Sequence, residues 1–152
     1  MRKQLYLAII ERLKTITDAF NKPVIQHFDL WNHNVEFIEL ETAFNCPAVF
    51  IEFTPISWKN LQGPVQEADI TINLHIITRW ENISADGSAS QEQALQLFDF
   101  IDDIKKALIG LQRSGLSGFK RTASNTNHDH EEIVESIETF QVHDLIIYYP
   151  LL

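Results

Sequence analysis

Cysteine, glycine and long apolar runs are all scarce in this sequence of 152 residues. Cys46 is the single cysteine, which excludes an internal disulfide and suits a reducing compartment. With five glycines, the chain has neither a G-x-G-x-x-G turn nor a Walker loop, so we expect no cradle for nucleotide phosphates. No apolar stretch approaches the ~20 residues that span a bilayer, and we predict no membrane partner.

Positive charge is scarce as well. Twelve lysines and arginines stand against 21 aspartates and glutamates, and the net charge is −9. Proteins that bind DNA or RNA need clustered cations to displace counterions from phosphates. Basic residues here reach no further than short pairs, such as Lys105-Lys106 and Lys120-Arg121. We therefore predict no direct binding of nucleic acid.

The residues that are present have the balance of a folded domain, with 45% hydrophobic and 22% charged. The length is typical of one domain with a real core, so we assign residues 1–152 to a single domain. The apolar stretch near the start stops at Glu11, and helical periodicity continues past Arg12 without a small-residue cleavage site. We interpret this segment as an amphipathic helix rather than a signal peptide.

Two helices are predicted from apolar spacing. The first covers residues 2–20 and ends before Asn21-Lys22-Pro23, because proline disfavours helical geometry in the preceding residue. Its apolar stripe consists of Leu5, Ile9, Leu13, Ile16 and Phe20. The second helix opens at the capping box of Ser90 and Gln93, and Gly115 is its expected C-terminal cap. Its apolar face consists of Ala94, Leu97, Phe98, Ile101, Ile104, Leu108 and Leu111.

Strands are predicted at residues 48–53, 68–80, 119–126 and 133–149, with a weaker candidate at 35–40 and a loop at 55–66. Residues 68–80 alternate strictly, with Ile70 and Ile72 on one face and Asn73 and His75 on the other. This alternation predicts one buried and one wet face in an antiparallel sheet. The length of the segment, about 40 Å at ~3.3 Å per residue, also allows a projecting hairpin arm. A change of phase after Ile137 predicts a bulge or break in the last strand.

These elements predict an α+β fold in the order α-β-β(-β)-α-β-β. The economical arrangement is a mainly antiparallel sheet of four to five strands with both helices packed on one face.

Residues with nucleophilic or acid–base chemistry occur, but not in a catalytic pattern. Gly115-Leu116-Ser117-Gly118 is one residue short of a G-x-S-x-G nucleophile elbow, and we interpret it as a turn between helix and strand. Cys46 precedes a proline at a strand entrance, where burial is expected. Asp99 and Asp103 share a helix face opposite the apolar stripe, which predicts solvated carboxylates rather than tuned ones. We therefore predict no catalytic residue and no enzymatic activity.

The densest cluster of potential metal ligands is His128-Asp129-His130-Glu131-Glu132. Two histidines two residues apart on an extended segment face the same way, as a metal site can require. However, Asn125-Thr126-Asn127 indicates a turn just before them, and no distant cysteine or histidine has metal-like spacing. We predict no metal and no cofactor. One alternative stays open, a small cytosolic metal-dependent enzyme that uses His128 and His130.

Aromatic and apolar residues suggest interaction surfaces instead. Trp31, Trp58 and Trp80 fall in or beside predicted loops, where aromatic side chains often anchor interfaces. Residues 145–152 are almost entirely apolar, although chain termini are normally polar. This segment either completes the domain's own sheet or docks onto a partner. A second alternative is therefore a bacterial adaptor domain that docks through this segment.

The arrangement of the whole chain resembles that of the phage tail terminator (tail-completion) proteins, the lambda-type minor tail protein included. The resemblance rests on the opening helix, the pair of strands around the loop, the second helix, and the passage through His128-Asp129-His130 into the last strand. In this sequence these are residues 5–20, 48–53 with 68–80, 94–104, and 119–124 with 133–140.

The resemblance implies a non-enzymatic protein that forms a homo-oligomeric ring, commonly a hexamer, on the end of the tail tube. Its partners would be copies of itself, the tail tube protein and the head-tail connector. It would assemble in the cytoplasm of the bacterial host and end in the virion tail. We expect loops 55–66 and 79–90 to make the contacts, with Trp58, Lys59, Arg79 and Trp80 as the contact residues.

Overall fold

The computed structural model describes residues 1–35, 44–79, 84–112 and 116–148. Within them it contains two helices and a six-stranded, mostly antiparallel sheet, so the predicted α+β class is confirmed. Neither helix in these ranges is long and apolar enough to cross a membrane. The elements in chain order are α1 (Arg2–Leu13), β1 (His27–Leu30), β2 (Ala48–Phe53), β3 (Ser57–Asn60), β4 (Val65–Arg79), α2 (Gln91–Ile109), β5 (Lys120–Asn127) and β6 (Ile133–Ile147).

The sheet has the order β1-β2-β4-β6-β5. Only the β1–β2 pair is parallel among the described strands. β4 pairs with β6 over its full length, from Val65 opposite Ile147 to Arg79 opposite Ile133. On its other side β4 pairs first with β3 and then with β2. The long strand is therefore the centre of the sheet, and the prediction of a projecting hairpin arm is wrong.

Two strands were not predicted. β3 lies inside the predicted loop 55–66, where four exposed residues pair with β4 beyond the end of β2. β1 is a four-residue strand beside β2. Both are held by main-chain pairing to a neighbour rather than by an alternating pattern of their own. The weak candidate at 35–40 lies almost wholly outside the described residues.

Helix α1 is shorter than predicted and ends at Leu13. The hydroxyl of Thr15 donates to the carbonyl of Arg12 at 2.6 Å, and Thr17 forms an isolated bridge with Pro23. β-Branched residues favour extended backbone, and three of them follow Lys14 in the sequence. The chain therefore leaves the helix before Phe20.

Helix α2 begins at Gln91, as predicted, although Ser90 makes no capping bond with its side chain. It ends at Ile109 with Gly110 as its cap, and the predicted cap Gly115 lies outside the described residues. The guanidinium Nε of Arg12 donates to the carbonyl of Ala107 at 2.8 Å, which joins the last turns of the two helices.

Both helices pack on one face of the sheet, as predicted. The main core lies between them and the strands. Its fully buried members include Leu5, Ile9 and Leu13 of α1, Ile104 and Leu108 of α2, Ile72, Leu74 and Ile76 of β4, and Phe140 of β6. Each buried aliphatic or aromatic side chain of this kind contributes about 1.5–3 kcal/mol of transfer free energy.

The opposite face of the sheet carries a second, smaller core. Its buried members are Val35, Ala48, Phe50, Ile77 and Ile133, and Trp31 packs against them. His75 lies on this face and is only 5% exposed. The prediction of a wet face is therefore wrong for this half of β4, because the segment after β1 covers it.

The prediction of a bulge or break in the last strand is wrong. β6 keeps one register with β4 from end to end. The irregularity lies instead in β5, between Arg121 and Ala123, opposite the Thr139–Phe140 step of β6. The apparent change of phase arises because both faces of the sheet carry a core: Ile133 packs in the second core, whereas Phe140 and Val142 pack in the main core.

Candidate functional site

An open groove of about 900 Å³ lies between α2 and the β5–β6 edge of the sheet. Leu97, Phe98 and Ile101 of α2 form its apolar wall, and Val134 of β6 faces them. The groove exists because α2 covers only part of the sheet, and Phe98 is left 62% exposed. It is larger than a second pocket of about 390 Å³, which Asp69 and His143 help to line.

One end of the groove is polar and already paired. Glu138 is 4% exposed, and its Oε2 accepts from Arg121 Nη1 at 3.2 Å and from Ser124 Oγ at 2.7 Å. The same Arg121 nitrogen lies 3.5 Å from Asp102 Oδ1. Because Arg121 serves two carboxylates, this end does not present an uncompensated cation to an anionic ligand.

His128 and His130 lie along the same groove, beyond the end of β5. The sequence placed them together as possible metal ligands. In the residues for which the structure gives positions, no group of three or more histidines, cysteines and carboxylates is arranged to hold a metal ion. In the structure the two histidines therefore contribute to the lining of the groove.

A second polar cluster is buried on the opposite face of the sheet. His75 Nδ1 lies 2.6 Å from Glu135 Oε1, and His75 Nε2 lies 3.0 Å from Glu52 Oε2. Asn127 donates to Glu135 Oε2 at 2.8 Å, and Asn73 donates to Glu52 Oε2 at 2.9 Å. These contacts connect β2, β4, β5 and β6 by side chains across the sheet.

This cluster has the composition of an acid–base site but not its geometry. A general base must offer an atom to the substrate, whereas both ring nitrogens of His75 face a carboxylate. With each ring nitrogen engaged by a carboxylate oxygen, the ring offers no free atom to a substrate. The indole of Trp31 also stacks flat on the ring. We interpret the Glu52–His75–Glu135 cluster as a structural tie.

The surroundings keep both carboxylates ionised. Burial raises the pKa of Glu135, but hydrogen bonds from His75 and Asn127 and the charges of His75 and His130 outweigh it, so the pKa lies below its ordinary value. For Glu52, burial again acts upward, and hydrogen bonds from Asn73 and His75 bring the pKa down overall. The network favours the charged forms.

The two nucleophile candidates are not activated. Ser117 Oγ accepts from the main-chain nitrogen of His143 at 2.9 Å, while the imidazole Nδ1 of His143 lies 2.9 Å from Asp69 Oδ1. Ser117 therefore acts as the turn residue that the sequence indicates. Burial raises the pKa of the Cys46 thiol, against an opposing effect of Arg79, and this disfavours the reactive thiolate.

The predicted contact residues do not form one surface. Trp58 and Lys59 lie in β3, where Trp58 is 40% exposed and Lys59 Nζ lies 3.6 Å from Glu67 Oε2. Arg79 is exposed at the last position of β4, and Trp80 lies outside the described residues. Trp58 pairs with Ala68, so Arg79 stands about 36 Å along β4 from it, at ~3.3 Å per residue.

The apolar segment near the chain end partly completes the sheet. Leu145, Ile146 and Ile147 belong to β6, and the main-chain nitrogen of Tyr148 donates to the carbonyl of Pro64 at 2.7 Å. However, the side chains of Leu145, Ile147 and Tyr148 are 43%, 51% and 47% exposed. The backbone is thus paired within the chain while these side chains face outward.

Two exposed aromatic residues were predicted to be buried. Phe20 was the last member of the α1 stripe, yet it is 82% exposed, and Phe98 of the α2 stripe borders the groove. Sequence spacing gave no sign of either position. The early end of α1 exposes Phe20, and the limited reach of α2 across the sheet exposes Phe98.

Comparison with known proteins adds no assignment. No protein-family model matches this chain, and no curated protein matches it.

Proposed function

We propose that this chain is a non-enzymatic assembly protein of a phage or prophage virion. It forms a ring on the end of the tail tube and joins the tube to the head connector. A hexamer is the expected ring. On this proposal the subunit folds in the cytoplasm of the bacterial host and becomes part of the virion tail.

The observation that carries the proposal is the exposure of apolar side chains on two separate surfaces. Leu95 and Phe98 lie on α2, and Phe98 lines the groove. Leu145 and Ile147 lie near the other end of β6. All four are between 43% and 62% exposed. Exposed apolar patches mark sites of protein interaction. Two different surfaces on one subunit permit head-to-tail contacts, which close into a ring where the rotation from one subunit to the next divides a full turn evenly.

The order of elements also supports the proposal. A helix, a set of strands, a second helix and two final strands follow one another, in the order on which the resemblance to tail terminator proteins rests. The surroundings of three potentially reactive side chains also support a non-enzymatic role. Ser117, Cys46 and His75 are each held in a contact or environment unsuited to catalysis.

The test is assembly in solution. The purified chain is analysed alone and with a tail tube protein, by size-exclusion chromatography with light scattering and by negative-stain electron microscopy. We expect rings of the chain alone and tubes of defined length that end in a ring. Tube protein without the chain is the control, and its tubes should grow without a defined length.

Monomers at every concentration, with tubes whose growth is unchanged, would overturn the proposal. The metal-dependent alternative is tested on the same sample by elemental analysis. A stoichiometric metal that disappears in the His128→Ala, His130→Ala double variant would replace the assembly function with that alternative.

A further inference from the structure

A single aromatic side chain stands out from the surface after α1. Phe20 is 82% exposed, the highest value among the large apolar residues described. It lies in a tight turn whose two ends are joined by the bridge between Thr17 and Pro23. Exposure of one phenylalanine is common, so the geometry of the turn decides whether this one is organised for contact.

The turn is held by Asp18. Its Oδ1 accepts from the main-chain nitrogens of Phe20 at 2.8 Å and Lys22 at 3.0 Å. Its main-chain nitrogen donates to the carbonyl of Lys22 at 2.9 Å, and its carbonyl accepts from Asn21 at 3.1 Å. Asn21 has a φ of 58°, a conformation that asparagine tolerates better than most residues. The backbone that carries Phe20 is therefore ordered before any contact forms, which lowers the entropy cost of binding.

The groove beside α2 has the complementary chemistry. Its wall of Leu97, Phe98 and Ile101 offers apolar surface for an aromatic ring. Its volume of about 900 Å³ is in the range of sites that enclose a drug-sized ligand, so it has room for the ring and the residues beside it. Phe20 stays exposed in its own subunit, so its ring can enter the groove of another subunit.

Charge agrees with this pairing. Asp102 lines the groove with a side chain that is 57% exposed, and Glu131 lines it as an exposed residue. The turn carries exposed Lys22 two residues after Phe20. A ring of Phe20 that entered the groove would bring this lysine toward Asp102 and Glu131, and of these two Asp102 is also 3.5 Å from Arg121. The charges therefore favour this orientation over the reverse one.

We infer that Phe20 of one copy of this chain inserts into the α2–β6 groove of the next copy. The inference rests on the proposed ring and names the residues that join its subunits. Because the turn and the groove are different surfaces, the contact is head-to-tail, and each subunit uses both. Phe20 is the anchor, and Lys22 sets its orientation against Asp102 and Glu131.

The first experiment measures self-association by light scattering over a concentration series. Phe20→Ala and Phe98→Ala are each expected to weaken association about tenfold or more, because buried aromatic anchors dominate interfaces. Leu7→Ala is the matched control, since Leu7 is an apolar residue of α1 that is 51% exposed, and it should leave association unchanged. Circular dichroism confirms that each variant is folded.

The decisive experiment is a disulfide between two different single-cysteine variants, both in a Cys46→Ala background. Ala19→Cys places a thiol beside the intact Phe20, and Thr126→Cys places one in the groove; both positions are exposed. Under mild oxidation the mixture is expected to give a cross-linked dimer in which each variant contributes one subunit. Neither variant alone should give the same yield, because a head-to-tail contact pairs position 19 with position 126.

Glu11→Cys, at an exposed position of α1, replaces Thr126→Cys in the control mixture. Equal cross-linking in the two mixtures, or none in either, overturns the inference. If rings form without the mixed disulfide, the subunits join elsewhere, and the proposed function survives while the Phe20 contact does not. If the disulfide forms but tubes are not capped, the contact survives and the proposed function fails. In a third outcome no mixed disulfide forms, and Phe98→Ala loses binding to another component of the assembly whereas Phe20→Ala keeps it. The groove then belongs to a different occupant.

Discussion

The indole of Trp31 stacks on the imidazole of His75 with ring centroids 3.7 Å apart and planes 2° from parallel. Trp31 comes from the segment after β1 and His75 from the centre of β4. The stack closes the second core over a histidine whose two nitrogens face Glu52 and Glu135. Stacking of two aromatic rings in this way adds to the stabilisation that comes from burying their apolar area.

Replacing His75 should be among the most damaging single changes. His75→Leu leaves Glu135, which is 2% exposed, without its main partner, and loss of one member of a buried pair costs about 3–5 kcal/mol. We expect a loss of about 3 kcal/mol in the free energy of unfolding, measured by urea denaturation. His143→Leu is the control, because its contact with Asp69 is exposed; a similar loss in both variants would contradict the role assigned to His75.

The Trp31–His75 stack should appear as an energetic coupling. In a double-mutant cycle of Trp31→Leu and His75→Leu, we expect the two losses of stability to be non-additive by about 1 kcal/mol, as for aromatic pairs in contact. Thermal and urea unfolding of the four proteins give the coupling. Additive losses would mean that Trp31 only covers the second core and that its stack on the imidazole adds no stability.

Acid should destabilise the protein through the same cluster. The pKa values of Glu52 and Glu135 lie below their ordinary value of 4.5 in the folded chain. A depressed folded pKa stabilises the folded state above 4.5, and this stabilisation is lost as the pH falls from there through the folded pKa. The free energy of unfolding, followed from pH 6 to pH 3, should therefore fall steeply below about pH 4.5.

Glu135→Gln tests the assignment of this pH dependence. The variant cannot ionise at that position, so it should be less stable near neutral pH and its stability should change less below pH 4.5. A slope as steep as that of the wild type would place the acid sensitivity elsewhere. Glu131→Gln, at an exposed position, is the matched control and should follow the wild-type curve.

Two phenylalanines should separate stability from assembly. Phe140 is fully buried between the sheet and the helices, whereas Phe98 is 62% exposed. Phe140→Ala should cost about 3–5 kcal/mol in the free energy of unfolding, and Phe98→Ala should change it by less than ~0.5 kcal/mol. A large loss of stability in Phe98→Ala would mean that the residue supports the fold, and its effect on association would then be indirect.

The apolar residues between the helices and the sheet were largely predictable, because their regular spacing along the chain is a local signal. Leu5, Ile9 and Leu13 follow one another at helical spacing, and Ile70 to Ile76 alternate as a strand does. A segment with one apolar face must bury that face against something, whatever the partner. The two helices and the long antiparallel strand therefore follow from spacing, as does most of the main core. The packing of both helices on one side was expected for a different reason, because it is the economical way to cover a sheet.

The weaker elements were not predictable in the same way. β1 and β3 are four residues each, too short for alternation to be read. They exist because β2 and β4 offer main-chain groups to pair with. Such pairing depends on a neighbour that is distant in sequence, so local residue preferences predict a loop at these positions.

The candidate sites also differ in how far local sequence and distant contacts determine them. The order of residues is enough to establish that the chain is acidic, that it has one cysteine, and that it carries Phe20, His75 and Phe98. Which of these side chains face water depends on how the segments pack in three dimensions. His75 is buried because Trp31, more than forty residues earlier, covers it. Phe20 is exposed because α1 ends early, and Phe98 is exposed because α2 spans only part of the sheet. Burial depends on which segments meet in space, and the spacing of residues within one segment does not reveal this.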